Sequence, residues 1–313
     1  RPMDSTSLIA NSRGDAVPTR SEFESNDLRV FDFSSGTWLF TANKSNRRIH
    51  AVAYSEDGER VLTIQESEDT ISRQNDNGQI GIEFGWWDAE TGESVRTVSG
   101  PAISLLPSDQ ARAGIVVCAG ATKVAIWNPG SSIGELVICD TTTGEVVQRL
   151  KQKGEFSVAA FNSEGSRLAT VGHAEGIATG TTENGFRANT ELKVWDLSSG
   201  TALTTKSFGT TSAIEFSPDS RHIILNEVDF TDPDVQSDLV VIDAVTANEV
   251  LRMRRIGYSP KFGFLANDTI FATVLSRHID GVQMHVLGKL FSWQLPDAMR
   301  DLPSEMHKTR GEM

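Results

Sequence analysis

The stretch Leu192-Lys193-Val194-Trp195-Asp196-Leu197-Ser198-Ser199-Gly200 decides the fold. A short apolar run ends at Trp195-Asp196, the chain turns at Ser198-Ser199-Gly200, and residues 201–205 continue with Thr, Ala and Leu. β-Branched and apolar runs on either side of a short Gly-containing segment predict two strands joined by a tight turn. The same pattern recurs along the chain, so the sequence predicts a repeat that is built of strands.

An aspartate marks the turn of each copy, and successive copies lie 47 to 56 residues apart. That interval is close to the period of β-propeller blades. A helical repeat of similar length would need long apolar stripes at spacings of three and four residues, and the sequence shows none. The anchor residues are Asp32, Asp88, Asp140, Asp196 and Asp243, with Gln294 at the same place in a sixth copy.

A second motif, rich in Ser, Asp, Pro and Gly, lies between two apolar runs in each copy. Such residues supply turn geometry, so the motif predicts a hairpin that joins two buried strands. Each copy is therefore predicted to contain strand a, a hairpin, strand b, a long loop, strand c ending at the aspartate, a turn, and strand d. The clearest hairpins are Ser217-Pro218-Asp219-Ser220, Ser55-Glu56-Asp57-Gly58 and Asn162-Ser163-Glu164-Gly165.

These motifs resemble the WD-repeat family of β-propellers. Phe216-Ser217-Pro218-Asp219 after strand a, and Trp87-Asp88 and Trp195-Asp196 at the end of strand c, are similar to the hallmarks of that family. The resemblance covers nearly the whole chain, because about six copies agree in order and spacing. The chain lacks the family's Gly-His pair before strand a. Other residues also stand at positions where the family has Trp, namely Phe31, Cys139 and Ile242.

The resemblance implies an all-β chain, a divergent WD-like propeller made of four-stranded antiparallel blades. About six blades are visible over residues 1–296, seven is the alternative for the complete domain, and residues 297–313 form a polar tail. The first blade is expected to be incomplete, because residues 1–11 look like the end of a hairpin followed by strand b. The last blade is also expected to be incomplete, because the polar tail makes a poor fourth strand. Blade five is expected to end at Arg254 and blade six to begin near Lys261. Loops or irregular segments are predicted at residues 13–26, 66–79, 101–110, 173–190 and 227–238.

Composition limits the classes of partner. The 313 residues carry a formal net charge of -13, with a pI near 4.9. This charge argues against a nucleic-acid backbone or an anionic membrane as the main partner. A basic partner or a cation is permitted, and the plain alternative is that the charge serves solubility. No apolar run approaches the length of roughly 18 residues that spans a membrane.

The two cysteines, Cys118 and Cys139, are predicted on strands a and c of the same blade. With strand b between them they would lie two inter-strand steps apart, about 9–10 Å. A disulfide requires Cα atoms within about 7 Å. Both are therefore expected to be free, buried thiols. A chain without disulfides is compatible with the cytosol and does not exclude export.

The longest loops lie between strands b and c, and the family resemblance implies that these loops share one face of the propeller. Variable loops on a rigid scaffold are where binding usually occurs. We therefore expect this face to bind a partner, against the alternative that the loops only carry solvated charge. The expected contact residues are Glu68, Asp69, Asp76, Asp229, Phe230, Asp232 and Asp234.

No catalytic residue, cofactor or metal site is predicted. The repeated aspartates are expected to accept backbone N–H groups in their turns. Asp229, Asp232, Asp234 and Asp238 lack the alternation and the central Gly of a calcium loop. The sequence has no Gly-x-Ser-x-Gly elbow, P-loop or dinucleotide fingerprint. No metal-ligand spacing links the histidines, which are His50, His173, His222, His278, His285 and His307.

Two function classes follow from these observations. The resemblance implies a non-catalytic scaffold that binds a protein or peptide, because WD-like propellers usually bind peptides or other domains. The alternative is an accessory or gating propeller of a larger enzyme, either a hydrolase or a quinoprotein-like dehydrogenase. Quinone-dependent dehydrogenases use similar turns, but Glu93-Ser94-Val95 and Glu145-Val146-Val147 stand where their repeats place a Trp soon after the Gly. For the hydrolase reading, no hydrolase domain follows the repeats in this sequence.

Overall fold

The computed structural model describes residues 16–20, 28–32, 37–42, 49–67, 79–104, 114–128, 133–173, 181–182, 185–186, 190–229, 236–266, 269–280 and 283–295. The elements within these ranges are β-strands, apart from one short 3-10 turn, Ala119–Ala121. The chain divides into two compact units. The first comprises Arg1–Ser131 and Glu135–Lys151, and the second comprises Ser132–Gly134 and Gln152–Met313.

The first unit contains three sheets, in which the strands follow one another in chain order. The first sheet has three described strands, β1 (Ala16–Arg20), β2 (Leu28–Asp32) and β3 (Thr37–Ala42). The second has four, β4 (Ile49–Tyr54), β5 (Arg60–Glu66), β6 (Gln79–Asp88) and β7 (Ser94–Ser104). The third, whose last strand runs into the second unit, has β8 (Gly114–Val117), β9 (Lys123–Trp127), β10 (Ile133–Asp140) and β11 (Val146–Lys153).

The second unit continues the same pattern. One sheet contains β12 (Phe156–Phe161), β13 (Arg167–His173), β16 (Thr190–Asp196) and β17 (Thr201–Phe208), with a small separate hairpin of β14 (Thr181–Thr182) and β15 (Gly185–Phe186). The other sheet has six strands, β18 (Thr210–Phe216), β19 (His222–Asp229), β20 (Gln236–Asp243), β21 (Glu249–Ala266), β22 (Thr269–Asp280) and β23 (Gln283–Gln294).

Successive strands pair antiparallel, and the registers match the predicted order of strands a, b, c and d. In the clearest sheet, Leu168 of β13 stands opposite Phe161 of β12 and opposite Trp195 of β16. Trp195 in turn stands opposite Ala202 of β17. The predicted all-β architecture of four-stranded antiparallel sheets is therefore confirmed.

The core of the first unit lies between neighbouring sheets. Leu28 and Val30 of the first sheet pack against Ile49, Val52 and Val61 of the second, and all five are buried. The other face of the second sheet packs on the third, through side chains that include Ile64, Phe84, Val124 and Ile126. Strand b of the second sheet is thus covered on both sides. Its residues 61–65 are all buried, and three of the five are the apolar Val61, Leu62 and Ile64.

The core of the second unit follows the same rule. Leu192 and Val194 of β16 pack with Leu225 of β19 and Val240 of β20 in one cluster. The neighbouring residues on those last two strands point the other way, and Ile224, Leu239 and Val241 pack with Ile270 and Ala272 of β22 in a second cluster. By contrast, strand d of the first sheet in this unit, β17, is mostly exposed and carries Thr, Ser and Lys.

Several segments differ from the sequence prediction. Within the expected loop 173–190, Thr181–Thr182 and Gly185–Phe186 form a hairpin, and the expected loop 227–238 is shorter because β19 runs to Asp229 and β20 begins at Gln236. Residues 13–26 were expected to be a loop, but Ala16–Arg20 forms β1, which pairs with β2 in the place of strand b. Residues 101–104 were expected to be irregular, but they extend β7 to Ser104. Residues 255–260 were expected to separate blades five and six, but β21 runs through them without a break. Pro18 and Pro101 lower the local propensity for a strand. Both lie in edge strands, β1 and β7, where a Pro is tolerated because one side of the strand needs no hydrogen-bond partner. The expectations for residues 1–11 and 297–313 lie outside the described residues.

The long strand β21 changes partner part-way along its length. Its first half pairs with β20, as in the pair Arg252–Val240, and its second half pairs with β22, as in the pair Gly263–Phe271. Arg255 and Gly257 lie between the halves with φ of 52° and 141°. Positive φ bends an extended chain sharply, which allows one strand to serve two blades.

Glycines close the turns between strands c and d. Gly92, Gly144 and Gly200 all have φ between 71° and 78°, and each donates its N–H to the carbonyl oxygen of the aspartate four residues earlier. Gly144 is also packed tightly, because an ideal Cβ there would lie 2.0 Å from the carbonyl oxygen of Ser99 in β7. The turn of the third sheet therefore rests on strand d of the second sheet.

We expect Gly144→Ala to destabilise the protein by about 3 kcal/mol, the sum of roughly 1–2 kcal/mol for an Ala at positive φ and roughly 1–3 kcal/mol for the clash with backbone. Gly120→Ala is the matched control, since Gly120 has φ of 73° but its nearest neighbour, Glu56 Cβ, would lie 3.2 Å from the new atom. Chemical denaturation of both variants measures the difference. Equal losses of stability would show that the close contact with Ser99 is unimportant.

Candidate functional site

Each sheet has two different ends. Hairpins between strands a and b lie beside the turns between strands c and d, and we call this the turn end. Backbone hydrogen bonds join the two in four sheets: Ala89 N–H to Glu59 O, Thr141 N–H to Thr122 O, Leu197 N–H to Ser166 O, and Ala244 N–H to Arg221 O. The connections between strands b and c therefore leave from the opposite end, which we call the loop end.

In four of the described sheets, a polar residue after strand a caps the hairpin at the turn end. Ser217 Oγ accepts the N–H of His222 at 2.9 Å, five residues later, where strand b begins. Other side chains make the equivalent contact in the other sheets: Ser55 Oγ accepts from Arg60 at 3.0 Å, Cys118 Sγ from Lys123 at 3.1 Å, and Asn162 Oδ1 from Arg167 at 2.8 Å. The contact is kept although the residue type changes.

The repeated aspartate makes a local hydrogen-bond cluster in each turn. Asp88 Oδ1 accepts the N–H groups of Glu90 at 3.0 Å and Thr91 at 2.8 Å, as well as the Thr91 hydroxyl. Asp140, Asp196 and Asp243 make the same set of bonds two and three residues ahead. Bonds from Thr91 hold the pKa of Asp88 below its usual value, and bonds from Ser198 and Ser199 do the same for the pKa of Asp196. The side chain of Asp32 lies outside the described residues.

The lowered pKa of Asp196 gives a pH prediction. A carboxyl group with a depressed folded-state pKa stabilises the fold above its unfolded pKa, near 4, and loses that contribution as the pH falls through the folded value. We expect Asp196→Asn to melt below wild type at pH 6, and the difference to shrink at pH 3. Thermal melts at both pH values test this, with the exposed Glu145→Gln as control. A gap in melting temperature that is the same at both pH values would contradict it.

The loop end of the second unit is organised around Gly209, which joins β17 to β18. Its N–H donates to Glu227 Oε1 at 2.5 Å, and its carbonyl oxygen accepts the Thr190 hydroxyl at 2.7 Å. Thr190 begins β16, and Glu227 lies near the end of β19. The junction therefore joins the two sheets at the points where residues 174–189 end and residues 230–235 begin. We call it the Gly209 junction.

A charged cluster adjoins this junction. Arg252 Nη1 donates to Glu227 Oε2 at 2.6 Å and to Asp238 Oδ2 at 3.1 Å, and Nη2 donates to Glu249 Oε2 at 2.8 Å. We call these four residues the Arg252 cluster. The carboxylates, with Glu249 contributing most, raise the pKa of Arg252, and Arg252 lowers the pKa of Glu249. Three carboxylates share one guanidinium, so the cluster is net negative.

The structure places the predicted partner-binding residues only in part. Asp229 is the last residue of β19, and its backbone stands opposite Gln236. Its side chain lies outside the described residues, as do Glu68, Asp69, Asp76, Phe230, Asp232 and Asp234. The partner surface at these residues therefore stays a prediction. Asp238, considered above as a calcium ligand, is instead bonded to Arg252 and to the Arg255 N–H. Within the described residues, no group of three or more His, Cys, Asp or Glu side chains is arranged to hold a metal ion.

The cysteine prediction is confirmed, since Cys118 and Cys139 are both buried and free. Burial raises the pKa of the Cys139 thiol to about 12, so this residue is a neutral core side chain.

Two tryptophans at the end of strand c form hydrogen bonds within their own sheets. The Trp87 and Trp195 indole N–H groups both donate at 2.9 Å to a threonine on strand b, Thr63 and Thr170 respectively.

Comparison with known proteins supports the architecture. No protein-family model and no curated protein matches the chain. Solved structures do match. A structure of oligogalacturonate lyase in complex with manganese is similar with a TM-score of 0.62 at 14% identity, covering 93% of this chain and 77% of that one. The Swd1 β-propeller domain of Myceliophteria thermophila is similar with a TM-score of 0.55 at 11% identity, covering 93% and 86%.

The fold is that of a β-propeller. A chain of the mitotic checkpoint complex is also similar, with a TM-score of 0.57 at 15% identity, covering 94% of this chain and 79% of that one. WD40 propellers and an enzyme thus both stand among the propeller neighbours, and likeness at these identities shows the fold alone. The described part of the chain holds no helix with the length and apolar character of a membrane span.

The Arg252 cluster gives a stability prediction. We expect Arg252→Gln to cost about 1–3 kcal/mol, because it leaves the partly buried carboxylates of Glu227 and Asp238 facing each other, with the exposed Glu249 beside them. Arg254→Gln, the same charge change at an exposed neighbour, should cost less than about 0.5 kcal/mol. Urea denaturation of the two variants gives the comparison. If both lose the same small amount, the cluster is a solvated surface feature without structural weight.

Proposed function

We propose that the chain is a non-catalytic interaction scaffold that binds a protein or peptide through the loop ends of its sheets. The Gly209 junction is the observation that carries the proposal. Residues 174–189 lie in the long connection between β13 and β16, and residues 230–235 are a shorter connection rich in acidic residues. Both are anchored where Thr190, Gly209 and Glu227 are hydrogen-bonded together. Long segments held on a rigid framework are the usual place for recognition in repeat folds.

The charge at this end favours a basic partner. Glu227 and Asp238 of the Arg252 cluster lie on the loop-end side of their strands, and the adjoining segment adds Asp229, Asp232 and Asp234 in sequence. The whole chain carries a net charge of -13. Complementary charge speeds encounter and excludes partners of the same sign. A Lys- or Arg-rich peptide segment therefore fits this end better than an acidic one.

The neighbours support the scaffold class only through the fold. One of them is a chain of the mitotic checkpoint complex, which is a protein assembly by its name, and another is an isolated propeller domain. The lyase neighbour shares the same architecture at 14% identity. The alternative, an accessory or gating domain of a larger enzyme, gains no particular support from that likeness. The scaffold proposal is favoured because it draws on features of this chain's own loop end.

Selection from a random 12-residue peptide library tests the proposal. We expect wild type to enrich basic peptides, and a variant with Glu68, Asp69, Asp232 and Asp234 all changed to Lys to bind them at least about tenfold more weakly. The matched control changes four exposed acids at the turn end, Glu56, Glu90, Glu145 and Glu164, to Lys, which gives the same net charge.

The control should keep most of the affinity. An equal loss in both variants would mean that net charge alone drives binding, and that the loop end is not the recognition surface. Failure of wild type to enrich any peptide would count against the scaffold proposal itself.

A further inference from the structure

Strand β18, which is strand a of blade five, carries one carboxylate next to its hairpin, at a position where other blades have an apolar residue. Glu215 of β18 lies two residues before the hairpin cap Ser217 and stands opposite Ile224 of β19. The equivalent positions of the other three sheets, two residues before their hairpin caps, hold only apolar residues: Ala53, Val116 and Ala160. A charged residue at this position is therefore not a requirement of the blade fold.

The second half of β21 makes room for this carboxylate. An ideal Cβ on Gly263 would lie 2.7 Å from Glu215 Oε2 and 3.0 Å from Oε1, so any other residue there would force the carboxylate to move from this position. The same position would lie 2.9 Å from Cε1 of Phe271 on β22. The carboxylate and an aromatic ring thus meet over bare glycine backbone.

The Glu215 carboxylate has few partners for a group in this position. Phe264 donates its N–H to Oε1 at a long 3.4 Å, and no described residue forms an ion pair with Glu215. Among the described side chains, His222 of β19 is two residues from Ile224, the partner of Glu215 in the sheet, and Lys261 of β21 is two residues from Gly263. The hydrogen bond found for Glu215 is to neither of them, and no nearby charge contributes to its pKa. Burial raises the pKa of Glu215, against the weaker effect of the Phe264 hydrogen bond. Partial burial makes the ionised carboxylate costly unless a cation or further donors pair with it, so a positive charge beside Glu215 would be favoured.

We propose that Glu215, with the Gly263 backbone and the Phe271 ring beside it, binds one cationic side chain of a protein or peptide, a lysine ammonium or an arginine guanidinium. The unbonded Oε2 supplies the counter-charge, and the aromatic ring supplies an apolar surface for the aliphatic stem. Glu215 is only partly buried, so a long side chain can reach it. The site lies toward the turn end of β18, away from the loop end, and does not depend on the function proposed above.

Three blocked synthetic heptapeptides, Gly-Ser-Gly-X-Gly-Ser-Gly with X as arginine, lysine or norleucine, are the probes. Titration followed by NMR of carboxyl-labelled glutamate should show saturable shifts of the Glu215 signal with arginine or lysine, at millimolar affinity. The pKa of Glu215 should fall when the cation is bound, because a nearby positive charge favours the ionised form. The norleucine peptide, which has the same stem length and no charge, should leave the signal unchanged.

Glu215→Gln keeps the shape of the side chain and should weaken binding of both cationic peptides at least about tenfold. Glu164→Gln, an exposed acid at the same end of the same unit, should change it less than about twofold. Gly263→Ala should also block the site. Norleucine binding equal to that of lysine, or full binding by Glu215→Gln, would overturn the proposal. The peptide with the lower dissociation constant shows whether the site prefers an arginine guanidinium or a lysine ammonium.

The thermal stability of Glu215→Gln separates binding from folding. A carboxyl group whose folded-state pKa is raised stabilises the fold only below its unfolded pKa, and that contribution is lost as the pH rises through the folded value. At pH 7 the variant should therefore melt at the same temperature as wild type or higher. A lower melting temperature would show that Glu215 is kept for stability, and would count against its role as a binding group.

Discussion

The structure depends on strands that are buried on both faces. Residues 61–65 of β5 and 168–172 of β13 are buried without interruption, and the middle strands of the later sheets feed two clusters at once. Each buried Leu, Ile or Val contributes roughly 1.5–3 kcal/mol, which an isolated sheet would forfeit on its uncovered side. A sheet of this kind is stable only between neighbours. The partition of polar residues follows from this, since they collect on strand d and in the connections.

A second constraint is that backbone groups at the turns must be bonded locally. Ser55, Cys118, Asn162 and Ser217 all cap their hairpins, although their side chains are a hydroxyl, a thiol and an amide. Any small side chain with an acceptor atom can accept that N–H. The geometry can therefore be kept while the sequence drifts, which is consistent with a propeller that resembles solved structures at 11–15% identity and matches no family model.

The sequence predicts most of the fold because its signals are local. Short apolar runs, Gly turns and the aspartate positions depend on residues that are neighbours along the chain. Strand β1, the extension of β7 and the continuity of β21 were missed because partners across a sheet decide them, and local propensity does not. The Arg252 cluster was missed for the same reason. It needs the register of β19, β20 and β21, in which Glu227 faces Asp238 and Arg252 faces Val240. Glu215 could not be singled out from the sequence, because Gly263, which makes room for its carboxylate, lies on a strand that is distant along the chain. The predicted contact residues of the long loops lie outside the described ranges.

The shared strand β21 has an evolutionary consequence. In a repeat protein each repeat packs only on its neighbours, so a whole repeat can be gained or lost most easily where a loop separates it from the next one. Between blades five and six of this chain, the boundary lies inside the continuous strand β21, at Arg255 and Gly257. Deletion or duplication of either blade alone would leave one half of β21 without the neighbouring strand to which it is hydrogen-bonded. We therefore expect these two blades to be gained, lost and unfolded together.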